Sequence, residues 1–293
     1  MKIALIITAY KNPKHIDRMI SILSHPDFYF FIHLDKKIDV EPFSFLSTRQ
    51  NVVLVKKRSK VGWATFSIAE AAINSLLEAK SSGNFDRYVL MSGQDFPLMT
   101  PNEFLDFLNS DTEAEYINAI PYDLNHEWWK VNAVRVDKFS LLNWDFKGNT
   151  RLTQLLNWIT PQRRHPKNII IAGNSNWFCL TSKCIDHMLT QFQKNKAIAR
   201  FFKLVWGSDE FLFSTLAFNS PYRDHIKPNL TFVEWSGWGE GHPNILGVGH
   251  FDKLIQSGKF LARKFDSDYD NEILIMLESL LHEKIKMEDN QKK

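Results

Sequence analysis

"KIALIITAYKNPKHIDRMISILSHPDFYFFIHLD", Lys2 to Asp35, is the stretch that decides the fold. Its opening, "KIALIITAY", is an apolar run that closes on polar residues, as a strand buried on both faces does. "NPKHIDRMISILSH" then sets Ile16, Met19, Ile20 and Leu23 on one face at helical spacing. "FYFFIHLD" is a second strand ending in a carboxylate. Strand, helix, strand is the unit from which parallel sheets are built.

The same alternation continues outward. "NVVLVKK" reads as a third strand. "FSIAEAAINSLLEAKSS" reads as a helix with Ile68, Ala72, Leu76 and Leu77 at helical spacing, and "DRYVLMSG" as a fourth strand. "QDFPLMTPNEFLDFLNS" is a loop and a helix with Pro101 near its start, and "AEYINAIPY" a fifth strand. This order predicts an α/β fold, a Rossmann-like, mostly parallel central sheet flanked by helices. Ligands then sit at the carboxyl ends of the strands, which singles out Thr8–Tyr10, Asp35, Arg58 and Gln94–Asp95. The second half is less regular. "HEWWKVNAVRVDKFSLLNWDFKGN" has weak periodicity, and "IIIAGNSNWFCLTSKCIDHMLTQF" reads as strand, polar turn, strand and helix. "LVWGSDEFLFSTLAF" is an apolar helix opening on Asp209 and Glu210. "NEILIMLESLLHEKIKMEDNQKK" is an amphipathic helix with a charged end, expected to pack on the domain, with a peripheral membrane contact as the second reading.

Composition narrows the function. At 293 residues, 44% hydrophobic and 24% charged, the chain fits one large soluble domain. A net charge of +3 is too small to imply nucleic-acid binding. No apolar run reaches membrane-spanning length, and the N-terminal run lacks a small-residue cleavage site, so a buried strand is expected there rather than a signal peptide. Two cysteines, Cys179 and Cys184, make no disulfide framework and fit a reducing cytoplasm; their spacing without a second Cys/His pair argues against zinc. GxGxxG, GxxxxGK[ST], HExxH and GxSxG motifs are missing, which disfavours dehydrogenases, P-loop NTPases, zincins and α/β-hydrolases.

Other segments point toward sugars and phosphates. Asp35 and Asp95 follow strands, where a carboxylate meets a ligand or serves a turn or helix cap. "GNSNWF" places Asn176 beside Trp177, the pairing of amide and aromatic face that holds a sugar ring, and "VEWSGWGEGHPN" repeats the theme with Trp235, Trp238 and His242. "FLARKFD" holds the pair Arg263 and Lys264 in an apolar frame, which suits a fixed anion such as a diphosphate. Asp266 and Asp268 resemble the Asp-x-Asp manganese signature, but they lie in a polar stretch before the last helix and are read as a solvated loop.

The blocks "NPKHIDRMISILSHPDFYFFIHLDKK", "SGQDFPLMTPNEFLDFL", "GNSNWFCLT", "GSDEFLFSTLAFNSP", "TFVEWSGWGEGHPN" and "LARKFD", in this order, resemble the Core-2/I-branching glycosyltransferases, a family that includes the protein xylosyltransferases. The resemblance implies a GT-A type fold, a UDP-sugar donor, inversion at the anomeric carbon and no required metal. It implies that Glu210 is the general base and that Arg263 and Lys264 hold the UDP diphosphate. Asp35, Arg58 and Asp95, with Thr8, fall on the donor nucleoside and sugar, and Trp177, Trp235, Asn176 and Glu127 on the acceptor side. Asn176 stands where xylosyltransferases carry Asp. The expectation is a single domain over 1–293, with a nucleotide-sugar half over roughly 1–120, an acceptor and catalytic half over roughly 121–265, and a C-terminal helix and tail from 266. The expected reaction moves GlcNAc or xylose from a UDP-sugar to a saccharide or lipid-linked saccharide in bacterial glycan assembly, in the cytoplasm, with a peripheral place at the inner face of the membrane as the second reading. Asp209, about 100° around the helix from Glu210, is expected to cap it or bond a backbone amide. The rivals are a metal-dependent enzyme using Asp266 and Asp268, a non-catalytic carbohydrate-binding protein, and a hydrolase.

Overall fold

The computed structural model describes residues 1–236 and 242–291; Trp238 lies outside the described residues. The first strand, β1 (Ile3–Ala9), is apolar up to Thr8 because it is central and covered on both faces. Ile3, Leu5 and Ile7 face one core, and Ala4 and Ile6 the other. Helix α1 (Pro13–Ile22) follows, then β2 (Phe28–Leu34), β3 (Val52–Leu54), α2 (Ser67–Ser82), β4 (Arg87–Ser92), β5 (Asp95–Pro97), α3 (Pro101–Asn109) and β6 (Glu115–Pro121). The second half supplies α4 (Glu127–Asp137), α5 (Asn149–Ile159), β7 (Ala172–Thr181), α6 (Ser182–Lys194), α7 (Lys196–Phe202) and α8 (Asp209–Phe218). It ends with β8 (Ile226–Lys227), β9 (Thr231–Val233), α9 (Phe251–Ile255), β10 (Leu261–Arg263) and α10 (Glu272–Gln291).

The main sheet runs β3-β2-β1-β4-β7-β6-β8. Only the two pairings made by β7, with β4 and with β6, are antiparallel; the others are parallel. The expected α/β class, with a mostly parallel sheet between helices, is what the chain adopts. A second sheet, β5-β10-β9, sets Arg263 opposite Asp95 and so delivers the end of β10 to the carboxyl end of β4.

The structure departs from the sequence reading at three places. "GNSNWF" is not a turn but the middle of β7. Its polar groups are consumed internally: Asn174 Oδ1 accepts from Asn118 Nδ2 at 2.8 Å, and Ser175 Oγ accepts from Asn229 Nδ2 at 2.9 Å. A polar strand is tolerated here because Asn174 and Ser175 find partners. In α2 the buried stripe is Ala69, Ala72, Ile73 and Leu76, and Leu77 is exposed. The weakly periodic segment after β6 holds two helices, α4 and α5. At the C-terminus, α10 spends its apolar face on the core through Ile273, Leu274, Leu277 and Leu281. Arg18 pins it by donating to both carboxylate oxygens of Glu278.

Candidate active site

Chain ends converge at the carboxyl edge of the main sheet. Thr8, near the end of β1, pairs in register with His33 of β2 and Ser92 of β4. The chain leaving β1 carries Lys11, whose ammonium pairs with Asp266 at 2.6 Å, and Tyr10, whose hydroxyl donates to Gln94 Oε1 at 3.0 Å. Lys11 holds the Asp266 carboxyl below its ordinary range, first through this hydrogen bond. Asp268 turns its backbone N–H onto the same Asp266 carboxylate, so the two acids form a local turn closed by a lysine. Among the described residues no group of His, Cys, Asp and Glu is placed to hold a metal ion.

Asp35 and Arg58 are both engaged by the protein. The buried Asp35 carboxylate accepts from the backbone N–H groups of Lys37 and Val61, and pairs with the Lys37 ammonium at 3.3 Å. Arg58 donates to the carbonyls of Leu34, Asp35 and Ile38. These two residues shape the wall of the crevice after β2.

Asp95 is fully buried. Its carboxylate accepts from the Ser92 hydroxyl at 2.5 Å, from the Ser92 N–H at 2.9 Å, and from Arg263 Nε at 3.2 Å. It caps no helix; α3 is capped by Thr100 and Glu103. Burial pushes the Asp95 carboxyl up, and Arg263 and Ser92 oppose that. In this structure it orients Arg263. The Arg263 guanidinium lies over the Trp177 ring, 4.3 Å from its centroid, within cation–π range. Next to it, the Lys264 ammonium is lowered, first by burial, then by the charges of Arg263 and Lys11. No ion pair of Lys264 occurs among the described residues. A half-buried cation crowded by two others is a site prepared for an anion.

The acids sit at the start of α8. Glu210 Oε2 accepts from Arg135 Nη1 at 2.7 Å. Arg135, from α4, is held in turn: its guanidinium lies 4.6 Å from the Trp206 ring and 4.7 Å from the Phe211 ring, and it donates to the carbonyls of Trp206 and Gly207. Gly207 has φ +61°, and a Cβ there would overlap the Arg135 guanidinium; the position requires glycine on both counts. Asp209 is the first residue of α8, and no side chain caps this helix. Its carboxyl accepts its own backbone N–H, which meets the expected amide bond but not the expected cap. The residue keeps some surface, but protein surrounds the carboxyl. Burial, then the charge of Glu210, pushes it up to about 7. The charges of Arg135 and Arg263 both act on Asp209 in the opposite sense.

The expected acceptor residues divide. Trp177 lies under Arg263. Between Asn174 and Phe178 the pairing of β7 with β6 is irregular, and Asn176 and Trp177 lie in that stretch. The Asn176 Oδ1 is buried with no hydrogen bond among the described residues. Trp235 is half exposed. Glu127 starts α4, is exposed, and pairs with Lys130 at 2.5 Å. Sequence reading missed Arg135, which sits in an aperiodic segment, and missed Trp63 and Trp206, which form an aromatic wall with the His242 it had singled out, with centroids 5.3 and 5.7 Å from Trp63. Trp206 adjoins the quoted "GSDE" block; Trp63 gave no signal beyond its residue type.

A family model, Core-2/I-Branching enzyme, matches residues 3–254. The chain belongs to the Core-2/I-branching enzyme family. This is a family of glycosyltransferases. Xylosyltransferase 1 of Rattus norvegicus is 22% identical over 96% of this Core-2/I-branching chain and 36% of its own length. Xylosyltransferase 2 of Rattus norvegicus is 22% identical over 92% of this chain and 32% of its own. The chain thus spans about a third of the length of the curated relatives it matches. The apo structure of mouse xyloside xylosyltransferase 1 aligns with 89% of the chain and 97% of its own, at 10% identity and a TM-score of 0.37.

Proposed function

We propose that this chain is an inverting, GT-A type glycosyltransferase that moves a sugar, GlcNAc or xylose, from a UDP-sugar to a hydroxyl of a saccharide or lipid-linked saccharide, without a metal. The observation that supports it most is the placement of Arg263, locked between Asp95 and Trp177, next to Lys264 and near enough for its charge to act on Asp209 at the start of α8. Inversion is one in-line displacement. As the acceptor oxygen bonds to the anomeric carbon, the carbon–oxygen bond to UDP breaks. Glu210 takes the acceptor proton. The bonding pair leaves with the diphosphate, whose charge Arg263 and Lys264 neutralise. Arg135 occupies Glu210 Oε2, and Oε1, which receives no hydrogen bond among the described residues, is left for the acceptor. Trp235 and the wall of Trp63 and Trp206 suit the apolar face of a sugar ring.

Glu210→Gln should lower UDP release in the presence of acceptor by about a hundred- to ten-thousand-fold while leaving UDP binding intact; turnover near the wild-type rate would remove Glu210 from the role of base. The metal-dependent reading meets an Asp266 already paired with Lys11. Activity lost in EDTA and restored by manganese would favour that reading instead. Product stereochemistry separates transfer with inversion from hydrolysis.

A further inference from the structure

Helix α5 is built inside out. It is the one α-helix among the described residues with no buried residue. Its polar side faces the protein: Asn157 Oδ1 accepts the Phe139 N–H at 2.7 Å, and Asn157 Nδ2 donates to the Phe139 carbonyl at 2.8 Å. Its apolar side faces outward, with Leu152, Leu155, Trp158 and Ile159 between 46% and 82% exposed. The loop leading into it adds Trp144 and Phe146, each 43% exposed, and folds onto the helix through Asn149, whose side chain donates to the Trp144 carbonyl. A patch of this kind marks a contact surface.

Charge selects the occupant. Residues 138–167 carry six basic side chains against the single acid Asp145, a net of +5 in a chain whose total is +3; the rest is therefore net negative. Arg163 is turned inward onto the carbonyls of Lys138, Phe201 and Leu204, while Lys147 just before α5, Arg151 within it, and Arg164 and Lys167 in the segment that follows it, are exposed. Leucine, isoleucine and tryptophan outward, accompanied by lysine and arginine, is the composition of an interfacial helix. A second copy would bring the same basic residues against themselves across a twofold. A nucleic acid would leave the leucines and isoleucine without a partner. No helix of the described residues is long and apolar enough to cross a membrane, so the contact is peripheral.

We propose that α5 and its leading loop seat the protein on an anionic lipid bilayer, Trp158 and Leu155 entering the headgroup–acyl boundary and Lys147, Arg151, Arg164 and Lys167 pairing with lipid phosphates. This rests on the surface alone and not on the assignment of the reaction. The test is co-sedimentation of the full chain with phosphatidylcholine vesicles, with and without phosphatidylglycerol. Binding is expected with phosphatidylglycerol and should weaken with salt. Trp158→Glu combined with Leu155→Glu should cut partitioning by about tenfold or more, with circular dichroism and Tm unchanged because α5 buries nothing. Lys147→Glu with Arg151→Glu should lower binding to the anionic vesicles by about tenfold. Wild-type protein that stays in the supernatant with phosphatidylglycerol vesicles overturns the proposal. So do variants that sediment as wild type does, or a wild-type dimer in sedimentation velocity that Trp158→Glu dissolves without any vesicle binding.

Discussion

At the scale of single residues, the site depends on side chains that hold other side chains. Arg135 is the clearest case. It reaches Glu210 while its guanidinium is fixed by two aromatic rings and two carbonyls. Arg135→Met keeps much of the apolar stem but frees Glu210; turnover should fall by about ten- to a hundredfold, as misplacement of a catalytic group does, with donor KM little changed. A rise in donor KM with turnover unchanged would instead put Arg135 on the donor. Asp209 carries a pH signature. Its folded-state carboxyl is raised to about 7 by burial and by Glu210, whereas in the unfolded chain it ionises near roughly 4. Between those values the folded chain binds the extra proton, so the contribution of Asp209 to stability declines as pH rises through that window. Asp209→Asn removes the decline. The Tm of the variant relative to wild type should therefore rise between pH 5 and 7, and a difference constant with pH would contradict the raised value. Lys264 is the cleaner probe of anion binding, because Arg263 also holds structure. Lys264→Ala should abolish most of the thermal stabilisation by UDP while leaving the unliganded Tm equal or higher, since a half-buried cation without a partner among the described residues is removed.

At the scale of elements, the position of Glu210 is set by how α8 lies on β7. From Phe211 onward every residue of α8 is buried, so the first turn has no freedom to shift alone. Gly173 of β7 is where that contact is tightest: a Cβ there would come within 2.7 Å of both Phe211 and Trp128. Gly173→Ala should destabilise the chain by about 1–3 kcal/mol through overpacking, and should lower turnover as well because Phe211 adjoins Glu210. Chemical denaturation and UDP release on the same preparation check the two effects together; an unchanged midpoint would mean the β7–α8 contact can relax.

At the scale of the whole molecule, one ion pair ties β10 to β5 just beyond the end of β4. Asp95 is fully buried and its Arg263 partner is largely covered. Asp95→Ala leaves the Arg263 charge without its carboxylate and should cost about 3–5 kcal/mol, seen as an early unfolding transition; a variant as stable as wild type would show that β10 is held by its strand pairing alone. The α/β class and the strand-end placement of Thr8, Asp35 and Asp95 were legible because apolar runs and helical spacing reflect burial that the chain carries locally. The roles proposed for Glu210 and for the Arg263–Lys264 pair were suggested only by the resemblance of ordered blocks. β7 was misread as a turn because a polar strand looks like a loop until its partners Asn118, Asn229 and Ser214 are seen, and these come from distant segments. The sequence by itself thus determined the parallel core and which carboxylates and cations stand at chain ends. Tertiary structure decided that Asp95 serves Arg263, that Arg135 holds Glu210, and that α5 turns its apolar face outward. The physical reason is that periodicity reports the environment of a segment, while the partner of a buried charge and the direction of an amphipathic face are fixed only by what the rest of the chain brings beside them.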